Sequence, residues 1–203
     1  MEDSKNKGCF AGMPQETLDA VMQEIMAVPE VTILGIGNVV LQDEGFGVRM
    51  AEHMEEKYRF PHSVQVIDGG TLGMELLRFV TGTRKLLVID SINGGAKPGT
   101  LFRFENEAVM EHFQDKLSVH EVGIQDVLAL LKVTGKEIPE VVVLGAQPYA
   151  VEAGVRLTQE MAELIPELEK QILQELGRWG VKAEEKTVQL QSIYTRVAEE
   201  AQK

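Results

Sequence analysis

Four side chains in this sequence combine reactive chemistry with a telling position: Glu44, Asp68, Asp90 and His120. Each acid follows a short apolar run. Glu44 lies beyond "VTILGIGNVVLQD", Asp68 closes "VQVID", and Asp90 closes "KLLVID". A carboxylate at the end of a buried strand must be hydrogen-bonded, paired or bound to a cation, because desolvating it bare is costly. His120, in "SVHEVG", stands just before an apolar stripe of Val122, Val127, Leu128 and Leu131. One imidazole with two carboxylates, here Glu44, Asp90 and His120, suits a borderline divalent ion and leaves coordination positions open. Three such ligands fit a metal shared with another molecule.

Taken singly, each residue also has a structural account. An acid at a helix start can cap free N–H groups and complement the helix dipole. Asp43 is the natural cap, which leaves Glu44 to point elsewhere. The N–H groups of Gly69, Gly70 and Thr71 can satisfy Asp68 locally, and "SINGG" offers Asp90 similar help. A histidine at a helix entrance is commonly a cap or a packed ring. His53, His62 and His112, in charged or polar stretches, read as surface residues.

Other chemistries lack their signatures. Gly35 and Gly37 begin a dinucleotide fingerprint, but its third glycine is replaced by Val40, and no P-loop Lys-Ser/Thr pair follows. The two glycines still let the chain turn and pass close to a neighbour without a Cβ. No G-x-S-x-G elbow is present, and "HEVGIQD" does not complete H-E-x-x-H. The sole cysteine, Cys9, excludes an internal disulfide framework and a cysteine-based zinc site.

The elements that must hold these residues follow from periodicity. Residues 1–30 form an N-terminal extension, in which Leu18, Val21, Met22, Ile25 and Met26 make one stripe of an amphipathic helix. From Val31 the pattern changes. Strands are predicted over 31–36, 64–68, 85–90, 100–104 and 141–145. Helices are predicted over 45–58, 72–80, 121–133 and 157–176, the last kinked or interrupted by Pro166. Val/Ile/Leu-rich strands alternating with amphipathic helices predict an α/β fold over 31–180. Its form is a three-layer sandwich with a mostly parallel central sheet flanked by helices on both faces. Ligands bind such sheets beyond the carboxyl ends of the strands, where all three acids fall. Residues 181–203 read as a polar tail.

Composition narrows the partners. The 203 residues include 44% hydrophobic and 26% charged types, in the range of a globular domain with a real core. A net charge of −12 disfavours nucleic acid and anionic lipid as partners. No apolar run reaches membrane-spanning length, and "MEDSKNKGCF" lacks the apolar centre of a secretory signal, so a cytoplasmic location is expected.

The motifs "GIGNVVLQDEGFGVR", "DGGTLGMELL", "LLVIDSI", "PGT" and "SVHEVGIQDVL" closely resemble, in the same order, those of the endopeptidases that mature the large subunit of nickel–iron hydrogenases. The match spans roughly residues 31 to 176. The resemblance implies a protease that removes a C-terminal peptide from the large-subunit precursor after nickel insertion. It implies that Glu44, Asp90 and His120 recognise nickel brought by the substrate, with no permanently bound metal. It also implicates Asp68, in D-G-G-T, in activity. A non-catalytic nickel-binding or chaperone-like module for hydrogenase assembly would show the same trio. The extension and the tail lie outside the matched region, and the oligomeric state is not legible.

Overall fold

The computed structural model describes residues 14–17, 28–106, 108–109 and 123–186. His120, His112 and the stripe of the N-terminal helix lie outside the described residues. The central sheet has five strands: β1 (Val31–Ile36), β3 (Val64–Gly70), β4 (Lys85–Ser91), β5 (Leu101–Glu105) and β6 (Glu140–Ala146). Their spatial order is β3-β1-β4-β6-β5. All pairs are parallel except β5 with β6, which is antiparallel. The short strands β2 (Tyr58–Arg59) and β7 (Glu184–Glu185) form a separate antiparallel ribbon. Packing therefore continues past Gly180, where the sequence reads as polar tail, with Val181 and Ala183 resting on the core.

Strict alternation along the strands builds the three layers. Ile33, Leu87, Ile89, Val142 and Leu144 face one side. There they meet α1 (Phe46–Lys57) through Phe46, Met50 and Met54. Leu34, Leu86, Val88, Val141 and Val143 face the other side. There they meet α3 (Ile124–Val133) through Ile124, Val127, Leu128 and Leu131. The connection after β3 is a 3₁₀ turn, Gly73–Leu76, running into the single helical turn α2 (Leu77–Val80). The predicted 157–176 helix is two: α4 (Gln159–Ala162) and α5 (Ile165–Arg178). Pro166 lies in the first turn of α5, where its missing N–H has no intrahelical partner to lose. Leu168, Ile172 and Leu176 of α5 complete the layer beside α1.

A polar clamp joins those two helices. Glu169 of α5 accepts from Lys57 Nζ (2.8 Å) and Tyr58 OH (2.6 Å), and pairs with His53 Nε2 (2.5 Å). His53 is thus a half-buried partner of a carboxylate rather than a surface residue, because α5 crosses α1 at its position. Burial alone raises the Glu169 carboxyl, but hydrogen bonds from Lys57, Tyr58 and His53 outweigh it and hold the group down to about 2.

Candidate active site

The glycine motif after β1 is built by contact. Gly37 has φ of +137°, and a Cβ there would stand 2.0 Å from the Glu44 carbonyl oxygen. Its N–H donates to Gly70 O at 3.0 Å, tying the turn after β1 to the end of β3. Gly47, the second residue of α1, packs backbone to backbone on the sheet. A Cβ on it would lie 2.1 Å from Ile89 O and 2.3 Å from Ile36 O. The start of α1 is therefore pressed onto the carboxyl ends of β1 and β4.

Asp43 and Glu44 occupy the 3₁₀ turn Gln42–Gly45 between that glycine turn and α1. The helix-cap role expected of Asp43 is not what its carboxylate does, since neither the 3₁₀ turn nor α1 has a side-chain cap. The Asp43 side chain is fully buried. Its Oδ2 accepts from Tyr149 N (3.0 Å), Ala150 N (3.0 Å) and Thr158 Oγ1 (2.9 Å), and its Oδ1 accepts from Thr158 N (2.7 Å). The tight turn aims it inward, where the 149–158 loop after β6 offers N–H donors that a helix cap would leave orphaned. Backbone bonds from Gln42 N to Gly154 O (2.8 Å) and from Gly154 N to Val40 O (3.0 Å) stitch the same loop down. Gln42 holds a left-handed conformation (φ 49°) within this stitch. Arg49 Nη2 adds a bond to Val155 O at 2.6 Å.

Glu44 is half-buried on the same turn, which packs against β4. Asp90 is the penultimate residue of β4, and its Oδ1 accepts from Ser91 N at 2.7 Å. The turn that carries Glu44 thus packs against the strand that carries Asp90. By alternation Asp90 continues the Leu86–Val88 side, the face covered by α3, whose N-terminal approach carries His120 in sequence. Among the described residues no three His, Cys, Asp or Glu side chains gather as a metal site; the third expected ligand, His120, lies outside them.

Asp68 takes a different place. It is exposed at the end of β3, with Gly70 N donating to its Oδ1 at 3.0 Å, as the local-satisfaction reading expects. It lines an open cleft of about 270 Å³ with Gly37, Asn38, Val39, Thr71 and Leu72. Alternation puts its side chain on the Val64–Val66 side, toward α1. Glu52 of α1 feels its charge. Burial, opposed by Arg49 and reinforced by Glu56 and Asp68, pushes the Glu52 carboxyl up to about 7.

Two features are not among the sequence-based candidates. Besides the Asp43 staple, buried Gln147, next after β6, accepts from Gly94 N (2.9 Å) and Ala96 N (3.2 Å) and donates to Asn93 Oδ1 (3.0 Å). It orders the loop that follows Asp90. A polar residue directly after the apolar run Val141–Ala146, at the edge where loops gather, is the signal that marks it.

Residues 48–175 match the profile of the hydrogenase maturation protease family. The chain belongs to that family. It is similar to the hydrogenase 2 maturation protease of Escherichia coli, 36% identical over 154 residues, which cover 75% of this chain and 94% of the relative. The hydrogenase expression/formation protein HoxM of Cupriavidus necator is 38% identical over 162 residues, covering 79% and 80%. The structure of the hydrogenase maturating endopeptidase HybD from E. coli superposes with a TM-score of 0.74 at 34% identity, covering 78% of this chain and 98% of that one. As a hydrogenase maturation protease the chain is a peptide-bond hydrolase. Among the described residues no helix is long and apolar enough to cross a membrane.

Proposed function

We propose that this protease removes a C-terminal peptide from the nickel-loaded large-subunit precursor of a nickel–iron hydrogenase, using nickel brought by the substrate. The observation that supports the reading is that the turn carrying Glu44 packs against β4, the strand that carries Asp90, with His120 the third ligand expected from the sequence. Two carboxylates and an imidazole can grip an ion that already has other ligands. The substrate's nickel, so held, polarises the scissile carbonyl or lowers the pKa of a bound water. Asp68, exposed in the neighbouring cleft, orients that water or takes its proton.

An enzyme that needs its substrate to deliver the ion has a built-in checkpoint, because an unloaded precursor presents nothing to grip. The test compares nickel-loaded and nickel-free precursor incubated with purified protein, followed by mass spectrometry. The loaded precursor shortens and the empty one does not. Equal cleavage of both removes the checkpoint, and an unchanged mass in both removes the reading.

A further inference from the structure

The 149–158 loop has an unusual combination of properties. Connecting loops are normally polar, yet this one reads "YAVEAGVRLT" and displays apolar side chains to solvent. Tyr149 is 41% exposed, Val151 51% and Val155 44%, and Val40, whose carbonyl accepts from Gly154 N, is 54% exposed. The loop is not slack. The buried Asp43 carboxylate, the Leu41–Gly154 bridge and the Arg49–Val155 bond hold it against the turn that carries Glu44. Rigid apolar surface is costly to leave in water and inexpensive to bind with, since little entropy remains to be lost.

We infer that Val40, Tyr149, Val151 and Val155 form a preorganised platform, and that it receives an extended, apolar, non-acidic stretch of the precursor's C-terminal segment. The inference rests on the reading of the acidic edge as the cleavage site. Area and charge choose the occupant. At the stated exposures the four side chains offer on the order of 300 Å². A second copy of the chain needs about 800 Å² per partner for a stable interface, whereas a few extended residues need far less. The exposed Glu152 lies in the loop and Glu44 on the turn it is held against, in a chain of net charge −12 that the loop's exposed Arg156 offsets only in part, so an acidic stretch is repelled. The loop's exposed valines then meet apolar side chains of the bound segment as the scissile bond reaches Glu44.

The test uses the full-length protein with Val151→Asp and Val155→Asp, singly and together, and Val133→Asp, an exposed valine at the end of α3 outside the platform, as control. Steady-state cleavage of nickel-loaded precursor gives kcat and KM, and thermal melting checks the fold. The expected result is a KM raised tenfold or more in the double variant, kcat within about twofold, an unchanged melting temperature and a near-normal control. A photo-crosslinker at position 151 is expected to label the precursor's C-terminal segment. An unchanged KM overturns the proposal. So do crosslinks to the precursor's folded body, or to a second copy of the protease with a matching change in molecular mass. Glu44→Gln separates the two readings: it stops cleavage and leaves the crosslink at position 151 in place. If Glu44→Gln cleaves normally while the platform variants still raise KM, the site assignment fails and the docking surface stands.

Discussion

Replacing Asp43 by asparagine changes one oxygen into an NH₂ group inside a fully buried set of donors, and the structure sets the cost. Oδ2 accepts three hydrogen bonds and Oδ1 one, so the least costly amide orientation keeps its oxygen at the Oδ2 position. The NH₂ then faces the Thr158 N–H, two donors at a separation of 2.7 Å in the native geometry. An orphaned buried N–H costs about 1–3 kcal/mol, and three bonds that fall from charge-assisted to neutral lose roughly 0.5 kcal/mol or more each. A neutral amide is easier to bury than a carboxylate, which returns part of the loss, leaving about 3 kcal/mol.

Urea denaturation of wild type and Asp43→Asn measures the total, and native-state hydrogen exchange locates it. Tyr149, Ala150 and Thr158 amides are expected to exchange faster by a larger factor than amides of β1 or β4. Thr158→Ala is the calibrating variant, because its hydroxyl both donates to Asp43 (2.9 Å) and accepts from Met161 N (3.2 Å) at the start of α4. It should cost about 1–2 kcal/mol. A loss under about 1 kcal/mol in Asp43→Asn, with exchange unchanged at those three amides, would refute the claim that this carboxylate holds the loop.

Glu44→Gln, Asp90→Asn, Asp68→Asn and His120→Ala are each expected to lower kcat by about 10²-fold or more with the fold retained, read by cleavage kinetics beside circular dichroism. Four near-wild-type rates would mean the chemistry lies elsewhere. Gly47→Ala should destabilise by roughly 3 kcal/mol or more in urea melts, because the added methyl meets backbone oxygens that cannot swing aside. Glu52, raised from 4.5 to about 7, binds its proton more tightly folded than unfolded, so it withdraws stability as pH rises through that window. Glu52→Gln should therefore gain on the order of 1 kcal/mol at pH 8 after solvent screening and nothing at pH 4, measured as the shift in urea midpoint. Glu169, held down to about 2, has the opposite sign. Its stabilising share is complete above about pH 4.5 and fades as pH falls toward 2, so Glu169→Gln should destabilise at pH 6 and converge on wild type near pH 2.

The sheet was legible because each buried strand is a short run of Val, Ile and Leu with turn residues at its ends. The predicted 31–36 strand coincides with β1, and the others differ from the observed spans by one or two residues at an end. The β2–β7 ribbon was not, since two-residue strands have no period to read. The break in the 157–176 helix was legible in kind from Pro166, which opens α5. Charged residues were harder. Asp43 looked like a cap because capping is a local rule, whereas its true partners lie 106 to 115 residues away in sequence. His53 misled for the same reason, with Glu169 separated from it by 116 residues. Gly47, which decides how closely α1 approaches the sheet, was visible only as one letter of a motif.

The adjacent acids of "QDEG" therefore divide their work by direction. The 3₁₀ turn aims Asp43 into the protein, where it fixes the loop on one side, and leaves Glu44 half-buried on a turn that packs against β4, the strand of Asp90. Gly37 and Gly47 make this possible, the first by letting the Glu44 carbonyl approach and the second by seating the helix start on β4. Neither glycine carries a reactive group. Yet any side chain added at either must move the turn, and a shift of about 1 Å at a catalytic group costs activity out of proportion to its cost in stability. Conservative changes in the glycines should thus impair cleavage more than their unfolding energies imply, whereas changes on the outer surface of α5 should not.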